Sequence, residues 1–478
     1  MIMKASKILI LAALALAALQ AVSCKKVNYD RPRVIVTSDG EIDDECSLVR
    51  FLLYSNDWDV EAIITSSSQY HWHGKEWAGD EWIEPYFNAY EQVYPNLLKH
   101  DKRYPSPEYL RNHYYLGNVE AEGEMDTETD GSNRIVEVLL DESDPRPVWL
   151  QAWGGTNTIA RALKTIEEKY PEKMEYAASK CRFFFIWEQD DTYQRYIRPV
   201  WEKYNIQTII SDQFEAIAYR WRQLLPPSVH QYFEADWTLS NIVNDNGPLC
   251  ALYRCRDNGE FRSEGDSPSY MNEIVTGLRN LDHPDWGGWG GRYVRKRANV
   301  WFDEVTGEDY VFPEGRYYAS NGRSVFLRSH NPEEREAYIR PIAMWIPAFQ
   351  NDFAARADWC VKSYEEANHQ PVAVVTVKGG KICGKEPLDR HSAPGSMIGM
   401  DARRSSDPDG DKLAFRWFQY TDACTYKNAV KIEADGPEAT ITVPEDAGSG
   451  DTIHIICEVS DNGTPSLTRY QRIVITVD

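Results

Sequence analysis

Arg33-Val-Ile-Val-Thr-Ser-Asp39-Gly40-Glu41-Ile42-Asp43-Asp44-Glu45 is the stretch from which the fold of this 478-residue chain can be read. The β-branched run Val34 to Thr37 has the composition of a buried strand. It breaks at Asp39-Gly40, and an apolar series at Leu48, Val49, Leu52 and Leu53 then follows with helical spacing. Asp43 or Asp44 stands where a helix N-cap belongs. Asp39, Asp43 and Asp44 therefore crowd one strand-to-helix loop, with Glu41 and Glu45 beside them. Carboxylates packed this closely repel one another unless a cation or shared protons hold them together. A site made only of oxygen ligands favours a hard ion such as calcium or magnesium. A solvated acidic loop with a helix cap is the alternative.

Further strand patterns lie at Val60–Thr65, Pro147–Ala152, Arg182–Ile186 and Gln207–Ile210, and they alternate with helical ones. This alternation predicts an α/β fold with a mainly parallel sheet. Each strand runs into a polar loop: Ser66 to His73, Trp153 to Asn157, Trp187 to Asp191, and Ser211-Asp212. Open α/β sheets bind ligands at the carboxyl edge, where these loops would gather around the acidic one. Two long stretches rich in aromatic and acidic residues, Trp77–Asn133 and Tyr232–Arg292, are read as helices and loops over the site. Residues from Glu333 to Ala367 read as helical, with Ile342, Trp345 and Ile346 on one face. From Pro371 the pattern changes to short alternating runs broken by turns, which predicts a β-sandwich. Alternate acids at Asp407, Asp409 and Asp411 form either a plain acidic turn or a calcium loop.

The N-terminus has Lys4 and Lys7, an apolar run from Ile8 to Leu19, and Ala21-Val22-Ser23-Cys24. This resembles a bacterial lipoprotein signal, with membrane attachment through a lipidated Cys24 and a periplasmic or cell-surface location expected. The expected organisation is signal peptide 1–23, tether 24–30, α/β domain 31–367 and β-sandwich 368–478. The net charge of −22 disfavours nucleic acid as a partner. Of nine cysteines, Cys250 and Cys255 are the nearest pair, and no Cys-x-x-Cys spacing marks a zinc or redox site.

The acidic loop also carries a family resemblance. Asp39-Gly-Glu-Ile-Asp43-Asp44 is similar to the Asp-Pro-Gly-x-Asp-Asp motif of nucleoside hydrolases. More closely, the segments Thr37 to Glu45, Ser68-Gln-Tyr-His-Trp72 and Ala152-Trp-Gly-Gly-Thr-Asn157 resemble bacterial proteins described as cellulose-binding. Those proteins join a nucleoside-hydrolase-like domain to a C-terminal immunoglobulin-like domain. The resemblance implies one calcium ion held by Asp39 and Asp44, by a backbone carbonyl of Thr156 or Asn157, and by Asp266 in Gly-Asp-Ser-Pro. The nucleoside hydrolases have a histidine where this chain has Gly265.

By this reading Asp39 is the catalytic base and Asp43 binds a sugar hydroxyl. Glu188, Asp190 and Asp191 are positional candidates for the leaving-group acid, and helix capping is their alternative. His71, Trp72, Trp153 and Asn157 are candidate substrate contacts, with Glu188 among them. Trp72, Trp153, Trp187, Trp286 and Trp289 all fall in loops expected to rim the site, where aromatic faces would stack on sugars. The expected function is calcium-dependent hydrolysis of an N- or O-glycosidic bond in a carbohydrate-derived substrate, and hydrolysis of ADP-ribose or another N-glycoside is a separate third reading. Its rival is a non-catalytic polysaccharide-binding protein with a structural metal.

Overall fold

The computed structural model describes residues 31–303, 332–384 and 386–478. The signal-peptide reading and Cys24 lie outside the described residues. Among those described, no helix is long and apolar enough to cross a membrane.

The first part of the chain forms an eight-stranded sheet of order β3-β2-β1-β4-β5-β6-β8-β7. Its strands are β1 (Arg33–Ser38), β2 (Asp59–Thr65), β3 (Tyr114–Leu116), β4 (Val148–Ala152), β5 (Cys181–Ile186), β6 (Gln207–Ser211), β7 (Val294–Arg297) and β8 (Val300–Phe302). Every neighbouring pair is parallel except β7–β8. All six residues of β1 are buried, because helices cover both faces of a parallel sheet. The chain leaves β1 to one side for β2 and returns on the other side as β4. The switch in winding direction therefore falls between β1 and β4, where such sheets open a crevice. The short strands β3, β7 and β8 lack the length and alternation that would mark them in sequence.

The helix α1 spans Ile42–Leu53, with Glu41 at its N-cap and no side-chain cap bond. The expected cap at Asp43 or Asp44 is therefore displaced. The helix starts two or three residues earlier than that, so both aspartates lie in its first turn and their carboxylates are free for other partners. Further helices used below are α2 (Glu84–His100), α3 (Asn157–Lys169), α4 (Ser267–Met271), α5 (Pro332–Ala343) and α6 (Ile346–Asp358). Ile342, Trp345 and Ile346, expected on one apolar face, are all buried at the α5–α6 junction.

The C-terminal part has the strands β9 (Thr376–Lys378), β10 (Lys381–Ile382), β11 (Asp389–Ser392), β12 (Met397–Asp401), β13 (Ala414–Gln419), β14 (Ile432–Asp435), β15 (Glu438–Thr442), β16 (Thr452–Ser460) and β17 (Thr468–Val477). It packs a five-stranded sheet, β10-β11-β17-β16-β13, against a four-stranded one, β14-β15-β12-β9. Ile398, Ile441, Ile455 and Ile473 are fully buried between them, as in a β-sandwich. The sandwich is bolted to the α/β domain by buried polar contacts. Asp352 of α6 is wholly buried and accepts from Arg356 Nε at 3.0 Å and from Arg469 Nη1 of β17 (Thr468–Val477) at 2.8 Å. Asn351 Nδ2 donates to the Ser466 carbonyl at 3.0 Å.

Two of the tryptophans expected at the rim belong to this seam. Trp286 stacks on His283 at 3.8 Å and meets His454 edge-on. Trp289 is 1% exposed and packs on Phe349. In the acidic turn, Asp409 takes the His369 N–H groups and Asp407 accepts from the backbone of Asp409 and Asp411.

Candidate functional site

The crevice at the carboxyl ends of β1 and β4 is built around buried carboxylates. Asp39 follows β1 directly and is 1% exposed. The next residue must be glycine: Gly40 has φ +73°, and a Cβ there would lie 2.9 Å from the Ala78 Cβ. That bend turns the chain into α1, whose first turn aims Asp43 and Asp44 back toward Asp39. Asp266, at the start of α4, comes from a different part of the chain. Asp43, Asp44 and Asp266 each place an oxygen within 4.8 Å of the others. Neither Asp39 oxygen makes a geometrically acceptable hydrogen bond, although Ser68 and Asp44 are near, and Oδ2 of Asp266 is likewise buried and unpartnered.

The surroundings hold this cluster in place. Ser38 Oγ donates to Asp44 Oδ1, and the Tyr219 hydroxyl donates to Asp43 Oδ1 at 3.1 Å. A Cβ on Gly154 would stand 2.8 Å from Asp39 Cγ, so the loop after β4 presses its backbone against that carboxylate. A Cβ on Gly265 would stand 2.6 Å from Asp43 Oδ2. A side chain at that position would require the Asp43 carboxylate to move. Behind Asp266, Arg50 of α1 and Glu264 form a wholly buried ion pair at 2.7 Å, and Ser267 Oγ donates to Glu264 at 2.7 Å. The segment that presents Asp266 is thereby tied to the helix that presents Asp43 and Asp44.

Burial is the largest cause of the unusual acidities here. It raises Asp43 to about 6 with help from the Asp39 charge, and Glu41 to about 9 with help from Asp43 and Asp39. Asp44 is pushed well up by burial and then by Asp39 and Asp43, and Asp266 by burial and then by Asp44 and Asp43. Asp39 is also raised by burial, against an opposing pull from His71. Unpartnered acceptor oxygens at high negative charge density, with no nitrogen or sulfur among the donors, fit a hard divalent cation.

The remaining sequence candidates are placed as follows. His71 lies at the site, with Nε2 3.5 Å from Glu41 Oε1 and a buried Nδ1 that meets no partner. Trp72 is half-buried at a bridge to Lys75, its ring folded over Gly74. Trp153 lies in the core at 1% exposure, its indole N–H shared by Ser269 Oγ at 2.9 Å and Gln151 Oε1 at 3.2 Å.

Thr156 and Asn157 begin α3. The Thr156 carbonyl accepts from the Ala160 N–H at 2.8 Å and keeps its second lone pair. The Asn157 amide donates to Ser67 Oγ and the Asn118 carbonyl, while its Oδ1 is buried and unpartnered. Asp190 accepts from Thr156 Oγ1, the Asn157 N–H and Thr192, so it anchors the start of α3. Glu188 is buried, accepts from Gln194 Nε2, and is raised by burial to about 7. Asp191 pairs with Arg195 at the surface.

Tyr219 and Glu215 were not legible as site residues. Glu215 is buried and raised to about 8 by burial, then by Asp212 and, less, by Asp43. Both follow β6 in a short helical loop that has no motif spacing.

The family model of the nucleoside hydrolase-like domain of cellulose-binding Sde182 matches residues 33–293. The model of the C-terminal domain of cellulose-binding protein Sde0182 matches residues 397–477. A solved nucleoside hydrolase-related protein from Saccharophagus degradans, described as associated with carbohydrate metabolism, is 32% identical with a TM-score of 0.73. That likeness covers 94% of this chain and 100% of the other. A plant nucleoside hydrolase is 12% identical over 66% of this chain and 98% of its own, with a TM-score of 0.30, too low to carry an argument. No curated protein matches the chain. With one family model spanning the α/β domain, a second spanning the sandwich, and a full-length structural relative, the chain belongs to the family of cellulose-binding, nucleoside hydrolase-like Sde182 proteins.

Proposed function

We propose that this protein hydrolyses a glycosidic bond in a glycan-derived substrate and does so with a calcium ion. The observation that carries the reading is the set of buried, cation-ready oxygens of Asp39, Asp43, Asp44 and Asp266 at the switch point of the sheet. Asp39, Asp44 and Asp266 would hold the ion, with the Thr156 carbonyl or Asn157 adjacent in the loop after β4. When bound, the ion would supply positive charge that orients a water and the hydroxyls of the sugar.

The residues themselves do the rest. Asp39, whose oxygens are otherwise uncommitted, takes a proton from the attacking water. Asp43, steadied by the Tyr219 hydroxyl, accepts from a sugar hydroxyl and adds negative charge beside the developing oxocarbenium. His71 is oriented by Glu41 and offers an unpartnered ring nitrogen, which makes it the best-placed donor to the leaving group. It takes over the task that Gly265 cannot perform. The lipoprotein-like leader supports a location outside the cytoplasm, where glycan fragments are met.

The family's description as cellulose-binding supports a second reading, in which the acids are structural and the protein only holds a glycan. Calorimetric titration of calcium into chelated protein, wild type beside Asp44→Ala, separates the readings when followed by a screen of glycosides for turnover. Uptake near one equivalent that Asp44→Ala abolishes, with calcium-dependent turnover, is the expected result. Matching titrations would sink the calcium mechanism, and uptake without turnover on any glycoside would favour the binding protein.

A further inference from the structure

The acidic site opens beside a groove of opposite character. Residues 254–262 fold back on themselves just ahead of Asp266, with a bridge between Cys255 and Phe261 and a turn closed by Gly259 N–H to the Arg256 carbonyl at 2.8 Å. This hairpin is fastened once to the first turn of α1 and once to the loop after β6. Arg254 Nε pairs with Glu45 at 2.5 Å, and Arg256 Nη2 donates to the Tyr219 carbonyl. Tyr219 is 41% exposed and belongs to both places: its hydroxyl binds Asp43, and its other side lines a groove of about 680 Å³.

Arg220, Arg256 and Arg262 edge that groove. Two acids also line it, Asp257 and Glu260, but Glu260 is already taken by Arg222 at 2.7 Å. Neither Arg220 nor Arg262 has a hydrogen-bonded partner among the described residues, and the Arg220 charge acts on the buried carboxyl of Glu215. Arginines without hydrogen-bonded partners in a chain of net charge −22, one side chain away from a carboxylate cluster, form a local field opposed to that of the whole.

We propose that this groove is a substrate subsite for an oxyanion, so that the preferred substrate is a glycoside bearing a carboxylate or a phosphate ester next to the bond held at the acidic site. The inference rests on the glycosidase reading for the position of that bond. Guanidinium forks match the paired oxygens of carboxylates and phosphates, and a neutral cellulose chain has no group that needs them. The acidic pocket would take the neutral, hydroxyl-rich ring, and the arginines would hold the charged neighbour across Tyr219. Uronate and phosphate ester share this chemistry, and the probes below distinguish them.

The test is calorimetry on the full chain with calcium present, using digalacturonate, ribose 5-phosphate and neutral cellobiose as probes. One acidic probe should bind about tenfold or more tightly than cellobiose, as charge-assisted hydrogen bonds imply, and the preference should weaken with added salt. The double variant Arg220→Ala/Arg262→Ala should lose the preference while taking up calcium as the wild type does. Equal affinity for cellobiose, or an acidic preference that survives in the double variant, overturns the proposal. Calcium uptake reads the acidic site separately. Normal uptake with no acidic preference rejects the groove alone, whereas an arginine-dependent preference without calcium uptake upholds the groove and rejects the hydrolase reading.

Discussion

Replacing Asp43 with asparagine should make the calcium-free protein more stable while leaving calcium uptake by Asp39, Asp44 and Asp266 in place. Burial and the neighbouring Asp39 raise the Asp43 carboxyl from an ordinary 3.8 to about 6. At roughly 1.4 kcal/mol per pH unit, keeping this group in the fold costs about 3 kcal/mol once the pH exceeds the folded value. A folded pKa above the unfolded one means that the contribution is favourable at low pH and is lost as pH rises, here between about 4 and 6. Asparagine removes the charge, keeps the shape and still accepts from Tyr219.

In chelator at pH 7.5 the variant should therefore unfold at higher urea, by up to about 3 kcal/mol, and the gap should close toward pH 4. Calcium at a hundredfold excess over its Kd should add about 2.7 kcal/mol to wild type and variant alike, since Asp43 is not among the ligands. A variant no more stable than wild type in chelator, or an advantage unchanged by acid, would refute the claim that the cluster is strained without a cation.

Asp352→Ala should destabilise by about 3–5 kcal/mol in urea unfolding, because it strands Arg356 and Arg469 at the seam between the domains. Asp352 is held down at about 2 by those arginines once the opposing burial is overcome, so its contribution is present above about pH 4 and lost as pH falls toward 2. Gly154→Ala should weaken calcium uptake, since the new methyl would stand 2.8 Å from Asp39 Cγ; calorimetry with unchanged affinity would reject that contact. Trp153→Phe should cost about 1–3 kcal/mol through the lost bonds to Ser269 and Gln151 and leave glycan affinity alone, while Trp72→Ala should do the reverse.

The parts of the fold legible in sequence were those governed by local rules. Asp39-Gly40-Glu41-Ile42-Asp43-Asp44 shows a strand end, a glycine bend and a helix start within a few residues, and both elements form. The five long strands of the parallel sheet and the change of pattern after Pro371 were visible for the same reason. The roles of the tryptophans were not. Trp153, Trp286 and Trp289 sit in polar loops, yet the loops are folded inward, so a position read as rim became core or domain seam. Asn351-Asp352 gave no signal of purpose, because its partners Ser466 and Arg469 lie more than a hundred residues away. Cysteine spacing likewise drew attention to Cys250 and Cys255, while the Cys250 sulfur lies 4.0 Å from that of Cys360.

Sequence alone determined that carboxylates would crowd one strand-to-helix turn, since spacing along a chain controls which side chains a tight loop can hold. It also determined that a mainly parallel α/β sheet is followed by a run of short alternating strands. Only the tertiary structure decided that Asp266 closes the cluster with Asp43 and Asp44, that Gly265 gives Asp43 room, and that Tyr219 joins the acids to an arginine-lined groove. Those contacts join segments more than a hundred and seventy residues apart. Their geometry comes from how buried apolar surfaces pack the sheet and its helices, and no local pattern records that packing.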